Sequence, residues 1–237
     1  MIHITLPDGS VRTFEQEQIT PLEVAKDISN GLAKKAIVAK VDDQLCSLHH
    51  AITQDAVVSI YTFDDPEGRD TFHHSTSHIL AQAVQTLFPG TKLGIGPAIK
   101  DGFYYDFDSE HKFTPSDLEL IEAEMMKIVK ENLPIERRVL SKQEALEIFA
   151  SDPYKVELIS ELPEEEVITA YQQGEFIDLC RGPHVPSTGR IQVFKLLSVA
   201  GAYWRGNSNN QMMQRVYGTA FFDKKALKEY IRLREEA

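Results

Sequence analysis

Ile2-His3-Ile4-Thr5-Leu6-Pro7-Asp8-Gly9-Ser10-Val11-Arg12-Thr13-Phe14 opens the chain as two extended runs around a Pro-Asp-Gly-Ser turn signal, the pattern of a β-hairpin. Thr20-Pro21-Leu22-Glu23 follows as a helix start, with Thr at the cap, Pro at the first helical position and an acid in the first turn. That helix is expected over residues 22–28, with Asn30-Gly31 as its stop. Segments 36–41 and 56–61 are rich in β-branched residues and read as strands. A hairpin, a crossing helix and further strands within residues 1–62 indicate a ubiquitin-like β-grasp. Cys46 falls in an expected hairpin and reads as a small buried apolar residue.

Working outward, Asp64-Asp65-Pro66-Glu67-Gly68-Arg69-Asp70 is polar and breaker-rich and is taken as a linker. Residues 71–88 then read as a helix. Ile79, Leu80, Ala83, Val84 and Leu87 recur at helical spacing, and Pro89-Gly90 ends the run. Segment 92–108, with Gly94, Gly96, Gly102 and Phe103-Tyr104-Tyr105-Asp106-Phe107, reads as strands and turns. Helices are expected over 116–133, over 141–149 with Ser141 and Glu144 as a capping box, and near 154–162. Segments 191–197 and 212–217 read as strands, with a loop or strand end at 201–207 between them. The chain turns helical and highly charged from Asp223. The expected class is α+β: a β-grasp module at 1–62, an α/β domain at 63–224 with a mostly antiparallel sheet and packed helices, and a helix beginning in 225–237.

Lys and Arg number 25 against 36 Asp and Glu, a net charge of −11, which argues against non-specific nucleic-acid binding. The distribution differs from the total. From Leu179 to Phe222 there is no acid, while Arg181, Arg190, Lys195, Arg205 and Arg215 fall inside. Chance segregation and a nucleic-acid face are both consistent with that pattern. Two cysteines make no disulfide framework. With no apolar run near the ~20 residues that span a bilayer and no signal peptide, a cytoplasmic protein without membrane attachment is expected.

Two short motifs carry the chemistry: His74-Ser75-Thr76-Ser77-His78 and Asp178-Leu179-Cys180-Arg181-Gly182-Pro183-His184. Each spaces two nitrogen or sulfur side chains by four. His74 and His78 share one helix face. His73 makes a doublet, but only His74 has a histidine four residues on. Cys180 to His184, interrupted by Gly-Pro, sits on a turn. Brought together, the motifs offer three imidazoles, a thiol and a neighbouring carboxylate. Such a set can hold zinc, or order a water without a metal. Four protein ligands describe a closed zinc site, and the helix lacks the His-Glu-x-x-His pattern that carries a zincin's general base. Gly94-Ile95-Gly96 is no dinucleotide fingerprint, since no third Gly and helix follow.

The N-terminal β-grasp, His-Ser-Thr-Ser-His, Gly-Phe-Tyr-Tyr-Asp-Phe and Asp-Leu-Cys-Arg-Gly-Pro-His together resemble the N-terminal half of bacterial threonyl-tRNA synthetases, over essentially the whole chain. The resemblance implies a TGS domain at 1–62, an editing domain at 63–224 and the start of a linker helix at 225–237. The class II core with its ATP, magnesium and zinc sites is expected outside this sequence. The implied activity is hydrolysis of mischarged seryl-tRNA(Thr), within a full-length enzyme that ligates threonine to tRNA(Thr) using ATP. Serine and threonine differ by one methyl, worth only ~1–3 kcal/mol in a pocket, so synthesis alone does not exclude serine.

The resemblance also implies roles. His74 and His78 orient the water and the terminal ribose. Cys180 and His184 complete the pocket wall and, with Asp178, hold the seryl amine and hydroxyl. Lys155 stabilises the oxyanion or assists proton transfer. Tyr104 stacks on the terminal adenine, and Arg181, with Arg190, Lys195 and Arg205, meets acceptor-stem phosphates. No cofactor is expected within this stretch. Zinc at His74, His78, Cys180 and His184, the use that alanyl-tRNA synthetases make of the same pattern, is the alternative. The partner is the tRNA(Thr) acceptor end. The stretch is expected to be monomeric and the full-length enzyme a homodimer. The rival readings are a non-catalytic tRNA-binding module and a zinc-dependent ester hydrolase.

Overall fold

The computed structural model describes residues Met1–Ala237. The chain divides into two compact units, Met1–Phe72 with Gly182–Pro186, and His73–Arg181 with Ser187–Ala237. No helix is long and apolar enough to cross a membrane.

The first unit is a β-grasp. Strands β1 (Ile2–Thr5) and β2 (Val11–Phe14) form the expected hairpin, with Ile2 opposite Phe14 and Thr5 opposite Val11. Its turn needs a left-handed residue, and Gly9 at φ 86° supplies it. Helix α1 (Pro21–Ile28) starts on a reciprocal capping box between Thr20 and Glu23. Asn30-Gly31 is not the stop that the sequence suggests, because a second helix, α2 (Asn30–Lys35), begins there. Ser29 serves both helices. Its extended backbone ends α1, its N–H bonds the Ala25 carbonyl, and its hydroxyl accepts from Leu32 N–H to cap α2. Strands β3 (Val38–Val41), β4 (Gln44–Cys46) and β5 (Ala56–Tyr61) complete a sheet of order β2-β1-β5-β3-β4, in which only β1 and β5 run parallel. Ile2, Ile4, Phe14, Ile19, Val24 and Val58 form its core.

The expected linker at 64–70 is also corrected. Helix α3 (Pro66–Leu87) absorbs most of it. Asp65 carbonyl accepts from Arg69 N–H, and Asp65 carboxylate accepts from Thr62 N–H. A Cβ at Gly68 would fall 1.8 Å from the Thr62 carbonyl oxygen, so only glycine fits this tight strand-to-helix turn.

The second unit holds two antiparallel sheets. Strands β6 (Lys92–Leu93), β7 (Ala98–Ile99) and β8 (Gly102–Asp108) lead into α4 (Pro115–Glu131), β9 (Ile135–Leu140), α5 (Lys142–Ile148) and α6 (Pro153–Glu161). Strands β10 (Ile168–Gln173) and β11 (Phe176–Leu179) follow, then β12 (Val193–Tyr203), β13 (Met212–Phe221) and α7 (Lys224–Glu236). One sheet has the order β12-β13-β8-β6 with β7 on β8; the other is β11-β10-β9. The Ser141–Glu144 capping box forms as expected. The second sheet was not read from the sequence. Four consecutive residues of β9 are exposed, whereas β10 is buried almost throughout, so neither strand alternates.

Candidate active site

Helix α3 delivers the first motif. Between Thr71 and Val84 every residue except His74 and Gln82 is buried, although the segment contains serine, threonine and histidine. Its polar groups are therefore bonded locally, as burial requires. His73 Nε2 lies 2.8 Å from the Ala220 carbonyl of β13, and Ser77 hydroxyl lies 2.7 Å from both the His74 and Gly96 carbonyls. The doublet is thus resolved. His73 is a structural anchor, and His74 is the half-buried ring.

Strand β11 delivers the second motif. Asp178 is buried at 1% exposure, and Cys180 follows the strand end. Cys180 Sγ lies 3.5 Å from His74 Nε2, and the His74 and His78 rings meet edge to face at 5.1 Å. The ligand atoms of His74, His78 and Cys180 lie within 4.8 Å of one another. Burial, then neighbouring His74 and the Lys155 ammonium, hold the His78 imidazole well below its ordinary value of 6.5. His78 is therefore a neutral ring.

Lys155 is no solvated helix lysine: it is 2% exposed. Helix α6 starts at Asp152, which caps Tyr154 and Lys155 N–H and also accepts from Leu93 N–H of β6. This fixes the first turn of α6 beside the glycine segment. Lys155 Nζ donates to the Gly94 carbonyl at 2.7 Å and to the Tyr105 hydroxyl at 3.2 Å. It also stands 2.8 Å from Asp178 Oδ1. That contact is a charge pairing without hydrogen-bond geometry, because buried Oδ1 accepts no hydrogen bond. Asp178 Oδ2 accepts from the Tyr105 hydroxyl and lies 3.6 Å from His78 Nε2. Burial, followed by the Asp178 charge, pushes the Tyr105 phenol well above 10, so it remains a donor. Gly96 makes room for this ring: a Cβ there would lie 2.1 Å from it.

Residues 2–62 match the TGS domain family, and residues 168–217 match the Threonyl and Alanyl tRNA synthetase second additional domain. The chain carries a TGS domain and a synthetase second additional domain. It is 62% identical over 237 residues to the threonine--tRNA ligase of Enterococcus faecalis, 56% over 239 residues to that of Carboxydothermus hydrogenoformans, and 59% over 238 residues to that of Streptococcus agalactiae. Each match covers this whole chain and 37%, 38% and 36% of the relative, respectively, in its N-terminal region. The chain therefore spans little more than a third of the length of these curated relatives.

Within the second unit the structure brings His74, His78, Lys155, Asp178 and Cys180 together and leaves two expected residues apart. Tyr104 neighbours Tyr105 on β8, so the two side chains leave opposite faces of the sheet. Tyr105 enters the Lys155–Asp178 network. Tyr104 packs on Tyr217 with the Arg215 guanidinium 3.9 Å from its ring centroid. Arg181 is exposed and pairs with Glu166 at 2.5 Å. The acid-free stretch is not a free cationic face. Lys195 pairs with Glu122, Arg205 with Glu157 and Glu161, and Arg215 with Asp106. The sheet and helices bring up carboxylates from elsewhere in the sequence, which a count along the chain does not see. The sequence reading did not single out Tyr105, the tyrosine that joins Lys155 and Asp178. Its signal was the alternation of β8, which sends the two tyrosines of the pair to opposite faces.

Proposed function

We propose that this chain hydrolyses seryl-tRNA(Thr), releasing serine and tRNA(Thr). The observation that carries the reading is Asp178 Oδ1: a buried carboxylate oxygen without a hydrogen bond, beside a lysine ammonium and a neutral histidine. An unfilled buried acceptor suits a donor brought by the ligand, and the ammonium group of an aminoacyl ester is one. Lys155 has committed two of its three N–H groups, so one remains for the ester carbonyl as negative charge develops there. His74 and His78 orient the attacking water, and a neutral imidazole can accept its proton. Water adds to the ester carbonyl, the ribose oxygen leaves with a proton, and serine departs as the free acid. Cys180 and His184 close the wall that admits serine and excludes the extra methyl of threonine. Tyr105 positions Asp178 and Lys155.

Around this activity we assign residues 1–62 to the TGS module, 63–224 to the editing domain and 225–237 to a linker helix. A longer protein containing this chain ligates threonine to tRNA(Thr) with ATP, works in the cytoplasm and dimerises through its other parts, while this stretch is a monomer that meets the tRNA(Thr) acceptor end. The editing reaction needs no metal.

One observation favours a second reading. Two imidazoles and a thiol within 4.8 Å suit zinc, and Sγ to Nε2 at 3.5 Å falls within the ~3.3–3.8 Å edge of a tetrahedral site. His74, His78, Cys180 and His184 would hold the ion, which would fix the motifs as a closed structural centre. The Lys155 ammonium acting on His78 opposes a second cation there. Metal analysis after dialysis separates the readings, since the metal-free one requires full deacylation without stoichiometric zinc. Single substitutions His74→Ala, Cys180→Ala and Lys155→Met test the enzymatic claim itself. If all three deacylate seryl-tRNA(Thr) as wild type does, the chain is a binding module.

A further inference from the structure

A cleft of about 280 Å³ lies in the second unit, apart from the Lys155–Asp178 network. Its lining includes Lys100 and Asp101 from the β7–β8 turn, Ser198 from β12, Tyr217 from β13, and Tyr230 and Arg234 from α7. Three features of the fold build it. A β-bulge between Leu196 and Ser198 shifts the β12 register against β13, the kind of irregularity that re-aims side chains. Gly102 and Gly218 of the lining admit no side chain, because a Cβ at Gly102 would meet the Gly218 carbonyl oxygen at 2.2 Å, and one at Gly218 would meet the Phe103 ring at 2.4 Å. Tyr230 and Arg234 are four residues apart on α7 and share one face. The Tyr230 ring is held against Phe221 at 5.3 Å, and the Tyr217 ring against Tyr104 at 5.8 Å.

The cations of the cleft differ from those of the adjoining strands. Arg205, Arg215 and Lys195 of the neighbouring strands are each matched by a carboxylate. Lys100 and Arg234 are exposed and form no ion pair, and Asp101 is the one acid in the lining. Two cations and two half-buried tyrosines thus share one concave lining. Cations that no carboxylate satisfies take phosphate oxygens, and tyrosine faces take a base.

We infer that this cleft is a nucleotide site, with a phosphate held by Lys100 and Arg234 and the adjoining ring held against Tyr217 and Tyr230. The ligand chemistry is that of a free nucleotide or of one residue in an RNA strand. The site stands whether or not the hydrolysis proposed above is correct.

The test uses the 237-residue chain and the charge-only double variant Lys100→Gln/Arg234→Gln. Calorimetry measures binding of adenosine monophosphate and of a single-stranded RNA dodecamer. Wild type should bind at least one probe, and the variant should bind it at least tenfold more weakly with an unchanged melting temperature. For RNA, removal of two phosphate contacts should reduce the slope of log affinity against log salt by about 1.4. Binding of the mononucleotide identifies a free ligand, and binding of RNA alone identifies a strand contact. Hydrolysis of a seryl ester without phosphate should be equal in both proteins, so its absence would count against the editing reading and leave the cleft intact. Absence of binding to either probe, or equal affinity in wild type and variant, overturns the site.

Discussion

Residues 1–70 bury apolar side chains alone, whereas residues 71–237 bury polar and charged ones beside their apolar core. In the first stretch every buried side chain is apolar, Ile4, Ile19, Val24 and Val58 among them. The second buries His73, Ser75, Ser77, His78, Asp152, Lys155, Asp178 and His184. Apolar burial stabilises at about 25 cal/mol per Å², whereas buried charge costs free energy unless it is paired. The first stretch is organised for stability. The second accepts an unfilled carboxylate oxygen and a neutral buried histidine, a pattern concentrated at functional sites.

The comparison breaks most visibly at the ion pair. Lys155→Ala leaves the Asp178 charge buried alone and should cost about 3–5 kcal/mol by denaturant unfolding, with deacylation lost. Ile4→Ala, in the other core, should cost about 2–5 kcal/mol while the folded fraction deacylates at the wild-type rate. If Ile4→Ala abolished the activity of folded protein, the division of labour would be wrong. Tyr105→Phe removes the donor to Asp178 and should cost about 1–3 kcal/mol. It should also lower deacylation, a loss that Tyr104→Phe does not share.

A pH titration sharpens the same contrast in metal-free protein. The folded state holds His78 well below 6.5, so the unfolded state takes up its proton first. As pH falls below 6.5, stability should therefore drop by about 1.4 kcal/mol per unit until folded His78 protonates. His78→Gln should flatten that slope in melts between pH 6.5 and 5. The smallest effect is expected at a cap: Thr20→Ala should cost about 1 kcal/mol and leave deacylation unchanged.

Much of this was legible in the sequence, because local chemistry decided it. The Gly9 turn, the Thr20 and Ser141 caps, and the periodicity of α3 are short-range signals. Asn30-Gly31 was read as a stop and not as the start of α2, because Ser29 ends one helix with its backbone and caps the next with its hydroxyl. Strands β9 and β10 were missed because they are exposed or buried in blocks rather than in alternation, and β11 alternates over only four residues. Motif spacing singled out His74, His78, Asp178 and Cys180, which the structure brings together. The place of Tyr105 depended on which face of β8 meets Lys155 and Asp178. The pairing of Arg205 with Glu157 and of Arg215 with Asp106 depended on tertiary contacts across long stretches of sequence.

The activity proposed for this chain is that of a serine-selective esterase. Purified 237-residue chain incubated with seryl-tRNA(Thr) and, separately, threonyl-tRNA(Thr) should release serine at least a hundredfold faster than threonine. Equal rates on both esters, or no release of serine above the spontaneous rate, would contradict it.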